Sequence, residues 1–438
     1  MRGWKRARPR RIGPAAFVVV CAVLVLMAAA CGASSPGGSR SSGPSSTPLP
    51  AAGAAGSLSL GRAAPATGSP VKVGLITDGG CCGATAGAEQ PVATAAVQWL
   101  NQYMNGLAGH PISLDVCVDD LDPGKGSDCA NQMIRDNVAA VVIGSNGVIE
   151  TVWKILHDAH IPVINNAATN KALLADSAST FVVNDPYASI VTLPISVAKD
   201  KRAKKVSVMV VDLPIATDIY SGSTPSLFRQ NGLDLNVVPV PLGTPDMTPE
   251  AQRIVSENPD GVVSVVGPDP FCIAAFNGLR AFAFHGTTMA ISECFSSDAT
   301  TKSIPGDVLN GMLTSSIAPV GDSTDPSMRQ YVAVLDKYAK GSVDPKDAVG
   351  LAVFQSFGAL SVGTRDLTGA VSPASVTAAL KSMKNEVLPA SGGRLFRCNG
   401  KASRFGAAIC STSVSAATLD AHGNPMKYTV ENNAPIGD

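Results

Sequence analysis

Two short polar turns carry most of the chemistry legible in this chain. Gly144-Ser145-Asn146-Gly147 follows the apolar run Ala139–Ile143, and Asn165-Asn166-Ala167-Ala168-Thr169 follows Ile161–Ile164. The backbone N–H groups at Asn146-Gly147 open a helical pattern, so unpaired donors and the helix dipole favour an anion there. Gly147 allows a close backbone approach, and the Thr169 hydroxyl can both donate and accept. This is binding chemistry rather than bond-breaking chemistry. The chain has no G-x-S-x-G elbow, P-loop, H-E-x-x-H or C-x-x-C. Neither an enzyme nor a cofactor is expected. His157 and His160, near a helix end, have no third partner for a metal and read as surface residues. Asp119, Asp120 and Asp122 lack EF-hand spacing. Asp-Pro ahead of a helix reads as turn and N-cap chemistry instead.

The elements that must position these turns follow from periodicity. Between them Val148, Val152, Ile155 and Leu156 mark one helix face. Strand, turn, helix, strand and turn make one βαβ unit. Both turns then lie at the carboxyl ends of neighbouring parallel strands, where open α/β sheets bind ligands. Upstream come strand Val71–Thr77, a helix with Val92, Ala96, Trp99, Leu100 and Tyr103 on one face, strand Ile112–Val118 and a helix over Gly126–Asp136. From Lys204 the rhythm restarts. Strands are expected at Val206–Val211, Leu233–Val240, Gly261–Val266 and Thr287–Ile291. Helices are expected at Asp218–Gln230, Pro249–Glu257 and Phe271–Phe284. Two such series predict two similar α/β lobes. Gly311–Ile317 and the region after Gly392 break the alternation and are candidate crossings. Helical patterns at Met328–Ala339, Val349–Val362 and Ser375–Met383, a hairpin of Arg394–Cys398 against Ala407–Ser411, and a strand near Lys427–Val430 complete the chain.

Charge and cysteine usage bound the compartment. The basic residues of the first thirty positions lie between Arg2 and Arg11 and are followed by the apolar run Ala15–Ala30. This is the layout of an export signal, and the run is short for a membrane span. Without that segment the chain carries 28 Lys+Arg against 34 Asp+Glu, a net of −6. A nucleic-acid partner is therefore not expected. Ala28-Ala29-Ala30-Cys31 resembles a bacterial lipobox, with Ala28 in place of the usual Leu, so Cys31 is the expected lipidated residue. Residues 31–69, almost wholly Gly, Ala, Ser, Pro and Thr, read as a disordered tether. An even set of cysteines outside the cytoplasm suggests disulfides. The expected pairs are Cys117–Cys129, Cys272–Cys294 and Cys398–Cys410, each at the ends of adjacent elements; the state of Cys81-Cys82 stays open.

The order of elements, with IPVINNAATN closing the first lobe and a lipobox in front, resembles the substrate-binding proteins of ABC importers. The branch is the leucine/isoleucine/valine-binding family. The resemblance implies the type I periplasmic-binding-protein fold: α/β, two Rossmann-like lobes joined by three crossing segments. Lobe 1 would be 70–188 plus 320–392, and lobe 2 would be 189–319 plus 393–432. It implies that Asn146, with Ser145 beside it, holds a ligand carboxylate, and that the next turn adds the Ala167 carbonyl and Thr169 at the same end of a small zwitterion, whose ammonium lies towards the second lobe. Glu293 of the second lobe would pair with that ammonium. Asp269 or Phe271 would face the rest of the ligand, Asp269 favouring an extra donor or positive group. Leu213-Pro214-Ile215-Ala216 lacks the aromatic residue often found there in the family. The implied role is an extracytoplasmic receptor for an amino-acid-like solute, monomeric, anchored to the outer face of the cytoplasmic membrane through lipid. Its partner would be a separate ABC permease. A ligand-sensing lipoprotein on the same fold is the alternative.

Overall fold

Val-rich runs buried on both faces build the centre of each lobe, as parallel sheets require. The computed structural model describes residues 59–80, 86–295 and 298–438. The first sheet contains β1 (Val71–Thr77), β2 (Ile112–Val118), β3 (Val141–Ile143), β4 (Val163–Asn165) and β5 (Thr180–Val182). Its order is β2-β1-β3-β4-β5, all parallel. The second holds β6 (Lys205–Val211), β7 (Asp234–Val240), β8 (Val262–Val266), β9 (Thr287–Ile291) and β10 (Leu313–Ser316) in parallel. After the small hairpin of β11 (Glu386–Val387) and β12 (Leu395–Phe396), strands β13 (Val414–Leu419) and β14 (Pro425–Glu431) extend the second sheet antiparallel beyond β10.

Lobe 1 is closed by residues far apart in sequence. The helix Ala348–Gly363 is apolar on nearly every side and accordingly buried along most of its length. Asp347 caps it by accepting from Gly350 N at 2.7 Å. Its Phe354 stacks on Trp99 of the helix Glu89–Tyr103 at 5.4 Å and meets Tyr331 edge-on at 4.9 Å. Residues 59–69, expected to belong to the tether, dock on this helix instead. Leu60 is buried, its carbonyl accepts from Trp99 Nε1 at 3.0 Å, and Ala64 N donates to Gln102 O. The remainder of the expected tether, the export signal, Cys31 and Cys81-Cys82 lie outside the described residues.

The chain leaves lobe 1 after β5, returns after β10 at Ile317, and crosses again at Ser411–Ser413. Phe396, Cys398 and Cys410 belong to the lobe 1 core, so the last boundary lies there rather than at 392/393. Leu395–Phe396 forms its strand ladder with Glu386–Val387, while the expected hairpin of Arg394–Cys398 against Ala407–Ser411 is reduced to Arg397 N donating to Cys410 O at 2.8 Å, Ser411 Oγ donating to Leu395 O at 2.6 Å and the Cys398–Cys410 bridge. Ala408 to Cys410 instead flank β5, with Val182 N donating to Ala408 O and Cys410 N to Val182 O, each at 2.8 Å. The expected helix Asp218–Gln230 is broken into Asp218–Tyr220 and Thr224–Gln230, with Gly222 between them at φ 61°.

One buried side chain knits all three crossings. Arg394 is 1 % exposed. Its guanidinium donates to Ile317 O at 2.6 Å, to Ser413 O at 2.5 Å, to Ser413 Oγ at 3.2 Å and to Asn184 Oδ1. Burial pushes it down to about 9, still well above neutrality, so the fork stays charged. Gln355 adds bonds to Ile317 O and Ala390 O, and Asn184 donates to its side chain. Because β5 and β10 both run into this hinge, the carboxyl edges of the two parallel sheets face it from opposite sides.

Candidate functional site

The carboxyl-edge turns are locked to one another by backbone bonds. Asp78 N donates to Ser145 O at 3.1 Å, Gly144 N to Ile76 O at 2.9 Å, and Asp119 N to Thr77 O at 3.0 Å. The sheet register sets Ile143 beside Asn165, so the turn bearing Ser145 and Asn146 adjoins the one bearing Ala167 and Thr169. Lobe 1 thus brings its four expected residues to neighbouring positions. Ala167 is exposed, and the half-buried Thr169 hydroxyl takes no partner among the described residues.

Asn146 and Gly147 do something else than expected. Gly147 N, read from sequence as an anion donor, already donates to Asp78 Oδ1 and Oδ2 at 3.1 and 2.9 Å. Ser145 N donates to Glu89 Oε1 at 2.6 Å, and Thr77 Oγ1 to Glu89 Oε2 at 2.5 Å. Asn146 Nδ2 donates to Asp119 Oδ2 at 2.5 Å while its Oδ1 accepts from Val148 N at 3.1 Å. The side chain expected to hold a ligand carboxylate is thereby committed to the protein.

Glu89, Asp78 and Asp119 are all buried, at 1, 3 and 0 % exposure. Burial pushes Glu89 up to about 7, against the lowering effect of Thr77 and Ser145 N, with Asp78 and Asp347 adding repulsion. Asp78 likewise rises to about 6, lifted mainly by burial and also by the neighbouring Asp119, against the lowering effect of the Gly147 bond. The sequence pattern singled out neither Glu89 nor Asp78. The signal available was position: Asp78 and Asp119 each follow a parallel strand at its carboxyl end, and Glu89 opens a helix after a Gly/Ala-rich stretch of sequence. The other two acids of the 119–122 turn behave as turn chemistry predicts. Asp122 caps the helix Pro123–Arg135, and Asp120 pairs with Lys125 at 2.5 Å. His157 lies 3.6 Å from Asp176 and packs on Trp153. Among the described residues no group of His, Cys, Asp and Glu is arranged to hold a metal.

On lobe 2, Asp269 is the first residue of the helix Asp269–Ala281, and Glu293 lies in the turn Ser292–Phe295 that follows β9. Glu293 is exposed and accepts from Ser292 Oγ at 3.2 Å. Phe271 is 2 % exposed inside the lobe 2 core, so it does not face a ligand. All three expected cysteine pairs are bonded. Cys272–Cys294 ties the turn of Glu293 to the helix of Asp269. Cys117–Cys129 ties the end of β2, next to Asp119, to the helix Pro123–Arg135. A cavity of about 1020 Å³ opens elsewhere, at the amino edge of the lobe 2 sheet, among residues such as Phe284, His285, Met312 and Thr418.

The two-lobed architecture is shared with solved solute receptors. An ABC transporter substrate-binding protein from Sphaerobacter thermophilus superposes with a TM-score of 0.65 at 18% identity, over 84% of this chain and 98% of that one. The branched-chain amino acid transporter substrate-binding protein LivJ from Streptococcus pneumoniae, in complex with isoleucine, gives 0.60 at 15% identity, over 82% and 99%. A solute-binding protein of an R. palustris ABC transporter, in complex with 4-hydroxybenzoate, gives 0.59 at 19% identity, over 84% and 95%. No curated protein sequence matches the chain. Residues 70–408 match the family model described as periplasmic binding protein, and the chain belongs to that family.

Proposed function

We propose that this protein is the extracytoplasmic receptor of an ABC importer and that it captures a small amino-acid-like solute between its lobes. The observation carrying this reading is the hinge. Two parallel sheets meet it with their carboxyl edges, one presenting the Ala167 carbonyl and Thr169 hydroxyl, the other the exposed carboxylate of Glu293. A carbonyl, a hydroxyl and a carboxylate form an acceptor set suited to an ammonium group. Closure by hinge bending would bring the halves together around it. The likeness to receptors in complex with isoleucine and with 4-hydroxybenzoate supports a small-solute role. Anchoring through Cys31 and delivery to a separate permease complete the proposal.

A thermal-shift screen of the purified protein against amino acids, amides, amines and small carboxylates tests it, since a bound ligand raises apparent stability by mass action. Calorimetry with Glu293→Gln follows on any hit. Affinity for an amine-bearing ligand should fall about tenfold or more, as expected for loss of a charge-assisted bond. Unchanged affinity would remove Glu293 from the site.

A further inference from the structure

The turn after β3 offers four consecutive amides, Ser145 to Val148, and three are spent inside the protein. Ser145 N goes to Glu89, Gly147 N to Asp78 and Val148 N to the Asn146 side chain. Neither acid is a surface group that could swing aside. Glu89 is held by Thr77 as well, and it lies so close to Gly144 that a Cβ there would come within 2.1 Å of its Oε2. Asp78 grips Gly147 with both oxygens. Among the described residues the Asn146 N–H alone is left over, between two amides already held by carboxylates. The turns at the two carboxyl edges carry Asp78, Asp119, Asp212, Asp269 and Glu293 and, in their described residues, no Lys or Arg. A ligand carboxylate would therefore find few donors in these turns, the nearest cation in sequence being the exposed Lys171 beyond Thr169, whereas an ammonium would find acceptors at Ala167, Thr169 and Glu293.

We infer that Glu89 and Asp78 are specificity residues that stand in for a ligand carboxylate, so that the cleft takes a small organic ammonium compound lacking a carboxylate beside the amine. This rests on the receptor function proposed above and narrows its substrate class. Specificity arises here by exclusion: an acid-bearing ligand finds the amides it would need already occupied, a cost the amide or amine does not meet.

The test is a calorimetric panel on the purified protein in which each amino acid is matched with its primary amide and its decarboxylated amine. The expected result is that amides or amines bind at least about tenfold more tightly than the matched acids. An acid binding as tightly as its amide overturns this inference and leaves the receptor function standing. Absence of binding by every member overturns the amino-acid-like receptor function and the inference with it. In the double variant Glu89→Gln/Asp78→Asn, the preference should shift towards the acids by about tenfold. An unshifted ratio in a folded variant overturns the assignment to these two residues. Should the variant not fold, the wild-type ratio decides.

Discussion

Glu89→Gln isolates the contribution of one buried acid to stability. Gln keeps the shape, its carbonyl can still accept from Ser145 N, and its NH2 can donate to the Thr77 hydroxyl, which otherwise donates to Glu89. In the folded protein Glu89 is raised from its ordinary 4.5 to about 7. A raised acid binds its proton more tightly in the folded state than in the unfolded one. The associated stability is thus fully present below pH 4.5 and is lost as pH rises through 7. At about 1.4 kcal/mol per pH unit, this interval corresponds to about 3 kcal/mol. The assay is urea unfolding of wild type and variant in parallel from pH 4.5 to 8. Subtracting the two curves cancels Asp78, Asp185 and the other titrating groups to first order. Wild type should lose about 3 kcal/mol relative to the variant across this range, most of it below pH 7. A flat difference curve, or one of opposite sign, would refute the claim that Glu89 is held protonated by burial.

Other perturbations address the hinge, the disulfides and the anchor. Arg394→Lys keeps a charge but replaces a fork that reaches three crossing segments, and should cost about 3 kcal/mol in urea unfolding; a loss below about 0.5 kcal/mol would show that the bonds to Ile317, Asn184 and Ser413 contribute little. Replacing Cys272 and Cys294 together with Ser should cost about 3 kcal/mol and weaken ligand binding by loosening the turn of Glu293, read by calorimetry; a loss of stability with full affinity would separate the bridge from the site. Cys31→Ala should release the protein from the membrane fraction, and continued retention of a processed form would count against lipidation.

The parallel strands were legible because Val-rich runs such as VSVMVV and VVSVV admit little else. Bounds for β1, β2 and β9 coincide with the pattern. β5 was not seen, since Thr180–Val182 is three residues long and has no period of its own. The turns at Ser145–Asn146 and Ala167–Thr169 were correctly placed at strand ends, for the same periodic reason. What fills them was not legible. The bonds from Ser145 N to Glu89 and from Gly147 N to Asp78 join positions 56 and 69 residues apart. A lone acid in sequence gives no sign of whether it points to solvent or to a backbone amide. Arg394 shows the same limit: its partners lie up to 210 residues away, and no local pattern marks a buried cation.

The discontinuity of lobe 1 has a consequence for the order in which the chain can fold. Strands β6 to β10 form a contiguous stretch and can assemble among themselves as they emerge during synthesis or export. Lobe 1 cannot close in the same way, because Trp99 waits for Phe354 and β5 waits for Ala408–Cys410. The part of the chain that comes out first is thus the part that becomes native last. Until the helix Ala348–Gly363 arrives, the apolar face of the helix Glu89–Tyr103 stays uncovered, and until Ser413 follows, Arg394 lacks two of its acceptors. An unfinished chain of this protein exposes the very surface that later makes it stable, and that surface is where a holding chaperone would bind.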